Sequence, residues 1–548
     1  MKRHRLVMLA PTAVVLLAVA ALAACSSSSG GTSNSGGSPT SGPSGVLTVT
    51  TGAAGDFVPN FNQFSPNAED PSRGMIYEPL FFYDTANASS VQPWLGTSYA
   101  WSNGGRTLTV QVRQGVKWSD GKPFTAADVA YTFELEAQNA ALNENALPLA
   151  NATTSGTYTA VINFTTSAYT DGYAALGKTY ILPQHIWQSI PDKSTYLDSD
   201  PVGTGAFEVS KVEGQVMELT ANPHYYLPGL PKFKTIRFLA YTGNTTSDAA
   251  IEQGQLDWAG SFIPNIKTTY LAKNPKFTIV DIPLATAFLV PNMAKGPTTN
   301  LAVRQAISEA LNRSYISNTV YGGYAPASNP AALLTPNFNA VASPQIGSFP
   351  AANAAQAKAT LTKAGIKTPL NLTVKVVTGY TDYISDLQII QSELAPAGIN
   401  LTIDSEAYSA FTADQSTGNF QLLIDNFGYV PSPWYYYYEM LDSKVATPLG
   451  QNDSVGNFGR YSNPTVDSLL NTIAASPNEL SDTQDFAQIE QIFAAQLPDI
   501  PLFEQQDEIE FNGNNVTGYP TLSNPYAAAA VYISPDLGWV ADRLAPAS

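Results

Sequence analysis

Alternating apolar and polar residues predict several half-buried β-strands in the part of the chain that follows residue 46. The alternation has a period of two, which places Leu and Val on one side and polar residues on the other. It is clearest in Leu47–Thr51, Leu108–Arg113 and Leu372–Val377. We predict a strand at each of these positions.

Helices are predicted where a capping residue precedes an apolar stripe. Thr125 and Asp128 have the spacing of a capping box, and Asn463 followed by Pro464 fits an N-cap and first helical residue. Three longer stripes predict further helices, over 301–316, over 351–364 with Gly365 just beyond its end, and over 486–497. Mixed strands and helices in this order indicate an α/β or α+β body.

The first 45 residues differ from the rest in composition. Residues 1–25 combine a basic start with an apolar run, as an export signal does, and the end of that run, Leu22 to Cys25, resembles the lipobox of bacterial lipoproteins. The resemblance implies lipid attachment at Cys25; an ordinary secretory signal or an uncleaved anchor is the alternative. Residues 26–45 are rich in Ser and Gly and predict a flexible linker. Beyond Ala24 no apolar run reaches the ~20 residues of a membrane-spanning helix.

Charge and cysteine content exclude several classes of protein. Only 13% of the 548 residues are charged, the net charge is −17, and there are one Cys and three His. Too few basic residues are present for a nucleic-acid partner, and one cysteine allows neither a disulfide scaffold nor a Cys-based zinc site. We expect no cofactor and no metal, and we expect His185 and His224 to be packed and hydrogen-bonded.

A series of motifs carries a resemblance to a known family. In chain order they are Tyr77–Phe81, Leu108–Val129, Leu182–Trp187, Pro201–Phe207, Ala221–Tyr226, Gly229–Lys232, Gln253–Asp257, Val303–Ile307, Tyr461–Asp467 and Leu497–Leu502. Together these motifs resemble the family 5 extracellular solute-binding proteins of ABC importers, over most of the chain. The segment 108–129 is the most specific of them.

The resemblance implies an α/β fold of the periplasmic-binding-protein type, a two-lobe clamshell of class II with an inserted subdomain. Its expected parts are a lipoprotein signal peptide (1–25), a linker (26–45), a discontinuous lobe I (46–84, 200–295 and 506–548), the subdomain (85–199) and lobe II (296–505). It also implies permease subunits as partners and a position at the outer face of the cytoplasmic membrane, anchored through Cys25. We expect a monomer.

The ligand is expected to be a peptide, with a cellobiose-like oligosaccharide as the alternative. Peptide-binding relatives hold the ligand amine with an Asp whose position here falls on Tyr429 or Val430, so Asp425 or Glu439 would have to replace it. The aromatic run Trp434–Tyr438 and the absence of Lys and Arg from 422–440 indicate a neutral cleft. The candidate ligand contacts are Tyr408, Asn426, Phe427, Tyr429, Trp434, Tyr436, Phe61, Asn292 and Phe503. The competing interpretation is that half of the aromatic run packs into the core.

Enzymatic activity is not expected. The chain lacks Gly-x-Ser-x-Gly, His-Glu-x-x-His and Gly-rich phosphate loops, and no local pattern singles out a pair of carboxylates for glycoside cleavage. A secreted hydrolase and a sensory receptor with the same fold are the alternatives from other classes.

Overall fold

The computed structural model describes residues 44–547, apart from 53–54, 66, 88–89, 335–336, 454 and 522, and apart from the side chains of 282, 283 and 507. The predicted signal peptide, Cys25 and almost all of the predicted linker lie outside the described residues. Within the described part of the chain, no helix is long and apolar enough to cross a membrane.

The strands are short except for two. They are β1 Ser44–Val49, β2 Phe81–Tyr83, β3 Val91–Pro93, β4 Gly96–Ser102, β5 Thr107–Val112, β6 Leu149–Thr154, β7 Thr159–Phe164, β8 Phe207–Glu213, β9 Val216–Ala221, β10 Phe233–Leu239, β11 Trp258–Gly260, β12 Phe277–Pro291, β13 Leu370–Val377, β14 Ile399–Glu406, β15 Leu422–Gly428, β16 Ile500–Asn512, β17 Val516–Thr517 and β18 Ala545–Pro546. The three strands predicted from alternation are confirmed as β1, β5 and β13.

Helices follow the strands throughout the chain. They are α1 Ala126–Gln138, α2 Gln184–Trp187, α3 Asn244–Glu252, α4 Ile266–Thr269, α5 Leu301–Ala310, α6 Arg313–Val320, α7 Ala354–Lys363, α8 Thr381–Leu394, α9 Tyr408–Thr417, α10 Pro433–Leu441, α11 Pro464–Ala474, α12 Thr483–Gln496 and α13 Asp536–Arg543. Single turns of 3₁₀ helix include Asp70–Ser72, and Ala174–Lys178 is a π-helical turn.

One mixed sheet of ten strands organises the molecule. Its order is β14-β13-β15-β12-β16-β11-β1-β10-β9-β8, so the long antiparallel pair β12–β16 lies in the middle. The half on one side of this pair contains β1 and β8–β11, and the half on the other side contains β13–β15. We call these the first and second halves. This is the expected two-lobe α/β architecture, with two long strands shared between the lobes.

A separate antiparallel sheet, β4-β5-β7-β6, carries α1 against β6 and β7. The predicted capping box begins this helix: the Thr125 N–H donates to Asp128 Oδ2 at 2.9 Å, and the Ala127 N–H donates to Thr125 Oγ1 at 3.2 Å. Strand β1 begins at Ser44, two residues before the predicted start of lobe I, because the Ser44 N–H already donates to the Lys232 carbonyl at 2.9 Å.

Two predicted helices differ from the structure at positions where an Asn caps a helix. The stripe over 301–316 is divided into α5 and α6, because Asn312 interrupts it and accepts a hydrogen bond from the Tyr315 N–H at 3.1 Å. The helix predicted from 351 begins at Ala354, since Asn353 accepts from the Gln356 N–H at 2.9 Å. Gly365 follows with φ +72°, as expected of a residue beyond a helix end.

Candidate functional site

The two halves of the sheet are joined by β12 and β16, so the space between the halves is where a ligand would be enclosed. These strands pair from Phe277 opposite Asn512 to Leu289 opposite Ile500, with two irregularities in register. Strand β15 packs against β12 so closely that a Cβ atom on Gly428 would lie 2.2 Å from the Leu284 carbonyl oxygen.

Asp70 of the first half and three residues of the second half share one electrostatic environment. Tyr408 stands at the start of α9 and is 56% exposed. Desolvation by the surrounding protein is the main cause that raises the pKa of Tyr408, and the charges of Asp70 and Asp425 add to it, so that the pKa is about 12. Burial raises the pKa of Tyr380, and Tyr408, Asp425 and Asp70 contribute to that rise. We call Asp70, Tyr380, Tyr408 and Asp425 the acidic–aromatic site.

Asp425 is the half-buried carboxylate of this site. Burial raises its pKa to about 7, although hydrogen bonds from the Asn426 N–H and the Gln415 amide act in the opposite direction. Gln415 Nε2 donates to Asp425 Oδ2. Both of these donors are neutral, so they leave the negative charge of an ionised Asp425 uncompensated. The carboxylate is therefore suited to accept a cationic ligand group.

Asn426 connects this site to the shared strands. Its Nδ2 donates to the Tyr383 hydroxyl at 3.0 Å, and that hydroxyl donates to Gln505 Oε1 on β16 at 2.7 Å. Tyr429, three residues beyond Asn426, adopts a left-handed backbone with φ +59°. Its ring lies 6.1 Å from that of Tyr532 in the first half. These contacts place Asn426 and Tyr429 at the junction of the halves.

The aromatic run lies in the core of the second half. It forms α10, which begins at the N-cap Ser432, and every residue from Trp434 to Tyr438 is buried. Trp434 Nε1 donates to the Leu470 carbonyl at 2.8 Å, and the Tyr436 hydroxyl donates to the Ala332 carbonyl at 2.7 Å. Because helical geometry distributes the five rings around the axis and the protein covers all of them, the structure favours a core role. Ligand contact by Trp434 or Tyr436 stays a prediction.

Four other predicted ligand contacts are also buried. Asn292 is inaccessible, and its amide donates to the carbonyls of Gly418 and Phe420 at 2.9 and 3.1 Å. Phe427 packs between the rings of Phe288 and Phe458, at 5.7 and 5.9 Å. The remaining two, Phe61 and Phe503, are fully covered members of separate hydrophobic clusters. The structure therefore brings Tyr408, Asn426 and Tyr429 to the junction of the halves and places the other six in packed interiors.

Glu439 and Asp425 differ in their partners. Lys178 Nζ donates to Glu439 Oε1 and to the Tyr435 hydroxyl, both at 3.3 Å, and it lies 4.8 Å from the centre of the Tyr435 ring. The charge of Glu439 is therefore compensated within the protein. Of the two carboxylates considered from the sequence, Asp425 is the one suited to a ligand amine.

Asp70 and Tyr380 were not predicted from the sequence. Asp70 lies in a 3₁₀ turn that precedes the Tyr77 motif, and Tyr380 immediately precedes α8. Neither position has a local sequence motif that marks it as part of a site. The two residues are 310 positions apart, and only the fold brings both into the electrostatic environment of Tyr408.

Of the two histidines expected to be packed and hydrogen-bonded, His185 is half-buried, with its Nε2 2.9 Å from Asp120 Oδ2. His224 is exposed in the turn that follows β9, so the expectation of a packed side chain is wrong there. Among the described residues, no three His, Cys, Asp or Glu side chains are grouped to hold a metal ion.

Comparison with known proteins identifies relatives over most of the chain. The nickel-binding periplasmic protein of Escherichia coli K12 is 27% identical over 67% of this chain and 73% of its own length. A putative ABC transporter peptide-binding protein of Brucella ovis is 27% identical over 77% and 80%. The crystal structure of a periplasmic oligopeptide-binding protein of Thermotoga maritima with bound mannohexaose is 25% identical, with a TM-score of 0.82 over 91% of this chain and 98% of that one.

The same comparison settles the family. Residues 90–448 match the bacterial extracellular solute-binding proteins, family 5 Middle. The family comprises binding proteins rather than enzymes, in agreement with the expectation from the sequence. This match and the shared two-lobe fold confirm the resemblance carried by the motifs, and the chain belongs to family 5 of the bacterial extracellular solute-binding proteins.

Proposed function

We propose that this protein captures a peptide between its two lobes and delivers it to an ABC importer. The observation that carries the proposal is the acidic–aromatic site, where the charges of Asp70 of one half and Asp425 of the other both raise the pKa of Tyr408, whose side chain is exposed. A peptide presents an ammonium group for the carboxylates and apolar side chains for the ring. The peptide-binding name of the Brucella relative supports the same ligand class.

In this proposal Asp425 receives the peptide amine. The ionised carboxylate has neutral donors on the protein side, whereas Glu439 is paired with Lys178. A charged partner brought by the ligand would favour ionisation and lower the pKa of Asp425 below its value of about 7 in the free protein. Peptide binding should therefore release a proton near neutral pH.

Isothermal titration calorimetry with matched peptides tests this proposal. A set of tri- to pentapeptides with free amino termini is compared with the same peptides N-acetylated. We expect saturable binding of the free peptides and about tenfold or greater weakening on acetylation, because a charge-assisted hydrogen bond contributes roughly 1.5–3 kcal/mol. Equal affinity for both sets would contradict the role of Asp425, and no binding of either set would contradict a peptide ligand.

A second candidate ligand is an oligosaccharide. It is favoured by the mannohexaose bound in the Thermotoga relative and by the exposed Tyr408 ring, since aromatic faces also stack on sugar rings. Mannohexaose and cellohexaose belong in the same titration series. Saturable binding of either sugar without binding of any peptide would establish this alternative.

The proposal includes the predicted division of the chain. Lobe I comprises 46–84, 200–295 and 506–548, with the subdomain 85–199 inserted, and lobe II comprises 296–505. The positions of β1 and β8–β11 in one half of the sheet and of β13–β15 in the other support these boundaries. A sheet formed entirely from residues 96–164 supports the separate subdomain.

The proposal also includes membrane attachment. Residues 1–25 act as a lipoprotein signal peptide, residues 26–45 as a tether, and the monomeric body is held at the outer face of the cytoplasmic membrane by lipid on Cys25. The lipobox-like Leu22–Cys25 and the family's extracellular location support this arrangement. Labelling cells with a radioactive fatty acid should mark the wild-type protein and not the Cys25→Ser variant; label on both would contradict it.

A further inference from the structure

Two loops from opposite halves of the sheet meet backbone to backbone at Gly243 and Gly379. A Cβ atom on Gly243 would lie 2.9 Å from Gly379 Cα, and a Cβ atom on Gly379 would lie 3.0 Å from the Thr242 carbonyl oxygen. Real Cβ contacts at these distances require the neighbouring backbone to move. Both residues also have positive φ, +152° and +97°. Only glycine satisfies the spacing and the conformation at both positions.

Hydrogen bonds join the same loops. The Asn244 N–H donates to the Gly379 carbonyl at 3.3 Å. The Asn244 side-chain amide donates to Asp382 Oδ1 at 3.3 Å and lies 3.5 Å from Thr381 Oγ1. Together with the glycine contact, these bonds form what we call the Gly243–Gly379 contact. It has a main-chain and a side-chain component, each of which can be removed separately.

The contact also brings together the amino-terminal ends of two helices. Asn244 begins α3 and Thr381 begins α8, and neither helix has a side-chain hydrogen bond at its N-cap. The ends of both helices carry partial positive charge, so their approach is unfavourable unless a negative group lies nearby. Asp382, in the first turn of α8, supplies a carboxylate that accepts from Asn244 of the other loop. The approach of the loops is thus electrostatically compensated.

The position of the contact determines what it can do. Gly243 follows β10 in the first half, and Gly379 follows β13 in the second, whereas the halves are connected through β12 and β16. A rotation of one half away from the other about these strands separates the two loops. A contact placed in this way would be present when the halves are closed and lost when they rotate apart.

We propose that the Gly243–Gly379 contact sets the closed position of the two lobes and stabilises it. This inference rests on the capture of a ligand between closing lobes in the proposed function. Small residues at both positions let the loops approach, and the bonds of Asn244 hold them there. A larger side chain at either position keeps the lobes apart, and the apparent affinity for ligand falls by the same factor as the closed population.

Hydrogen exchange measured by mass spectrometry tests the contact in the ligand-free protein. In Gly379→Ala, we expect faster exchange in the segment 242–247, which belongs to the other half. The matched control is Gly115→Ala. Gly115 has a similar φ of +80°, but a Cβ atom there meets nothing within 4 Å, so the variant reproduces the backbone strain without the collision. Gly115→Ala should leave exchange at 242–247 unchanged.

Asn244→Ala is the second variant, because it removes the side-chain bonds without backbone strain. It should increase exchange in the segment 379–383 severalfold, with the rest of the second half unchanged. Unchanged exchange across the contact in both Gly379→Ala and Asn244→Ala would overturn the proposal, as would an equal effect of Gly115→Ala. A Gly379→Ala variant that unfolds leaves the decision to Asn244→Ala.

The ligand arm of the experiment separates this inference from the proposed function. The free-amine peptide set and mannohexaose are added to the wild-type protein, and protection at 242–247 and 379–383 is followed. Protection by mannohexaose alone supports the contact and contradicts a peptide ligand. Binding of either probe by calorimetry without added protection at these segments, and with equal affinity in Gly379→Ala, overturns the contact and leaves the ligand proposal intact.

Discussion

Replacing Asp425 by Asn should weaken peptide binding and at the same time stabilise the ligand-free protein. The carboxyl is half-buried among neutral donors, and burial raises its pKa from 3.8 to about 7. A pKa difference of 1 between the folded and the unfolded protein corresponds to about 1.4 kcal/mol in the free energy of unfolding, so this change amounts to at most roughly 4 kcal/mol. Above pH 7 the folded protein bears that cost because Asp425 must ionise in place, whereas Asn carries no charge.

The measured gain in stability will be smaller than this limit. The Asn side chain keeps an acceptor for Gln415, but the bond to it is weaker, and water can relax around a half-buried carboxylate. We expect a gain of about 1–2 kcal/mol and a rise of about 1–3 °C in the melting temperature at pH 8. The sign follows from linkage: a carboxyl whose pKa is raised on folding destabilises the protein above that pKa, and the effect disappears below the pKa of the unfolded chain.

Peptide affinity should change in the opposite direction. At pH 8 the loss of a charge-assisted hydrogen bond should weaken binding of free-amine peptides about 10- to 150-fold, and N-acetylated peptides should bind both proteins equally. In the wild-type protein, affinity should rise from pH 5 to about 7 and then level off as Asp425 becomes ionised. The Asn variant should lack this dependence.

Glu439→Gln is the control for Asp425→Asn. It leaves the half-buried Lys178 without its ionic partner, so we expect a lower melting temperature and no change in the discrimination between free and acetylated peptides. The assays are calorimetric titration and thermal unfolding at pH 5, 7 and 8. A lower melting temperature of Asp425→Asn at pH 8 together with unchanged peptide affinity would show that Asp425 neither carries a burial cost nor receives the peptide amine.

Three further predictions follow from burial and local geometry. Trp434→Ala should lower the free energy of unfolding in urea by about 3–5 kcal/mol, because the side chain is 97% covered. Tyr408→Ala should change that free energy by less than about 1 kcal/mol and weaken ligand binding. A larger loss of stability in Tyr408→Ala than in Trp434→Ala would contradict both the buried position of Trp434 and the exposed position of Tyr408. The melting temperature should rise as the pH falls from 9 to 6, since burial raises the pKa of Glu78 and of Asp536 to about 8; a fall over that range would contradict it. Thr125→Ala should cost about 1 kcal/mol in urea unfolding through loss of the cap of α1, and Thr125→Ser should restore it; an equal loss in both would show that the hydroxyl is not responsible.

Local features of the chain were predictable where neighbouring residues decide the structure. The capping box of α1 needs only Thr125 and Asp128, three residues apart, and β13 needs only the alternation of Leu372, Val374 and Val376, all of which are buried. The error over 301–316 has the same local character. An apolar stripe continues across Asn312, and only the competition between capping and helix propagation at that residue decides where α5 ends.

The aromatic run shows where such reasoning ends. Five consecutive aromatic residues do not distinguish a helix from a strand, and they do not show which rings face the core, because both geometries bury some of the rings. In the structure, Pro433 follows the cap Ser432 and begins a helix, and the carbonyl groups of Ala332 and Leu470 accept the hydrogen bonds of Tyr436 and Trp434. These acceptors come from more than 30 residues away on either side, so no local pattern could reveal them.

The family, the mixed α/β class and the starts of α1 and α11 follow from the sequence, because motifs, alternation and caps depend on residues close together in the chain. Which polar groups lie near each other between the lobes depends instead on how distant parts of the chain pack. Asp70 and Asp425 are 355 residues apart, and Gly243 and Gly379 follow β10 and β13, which have five other strands of the ten-stranded sheet between them. Such pairs come together because β12 and β16 join the two halves of the sheet, and the electrostatic and steric demands of that junction exist only once both halves are formed.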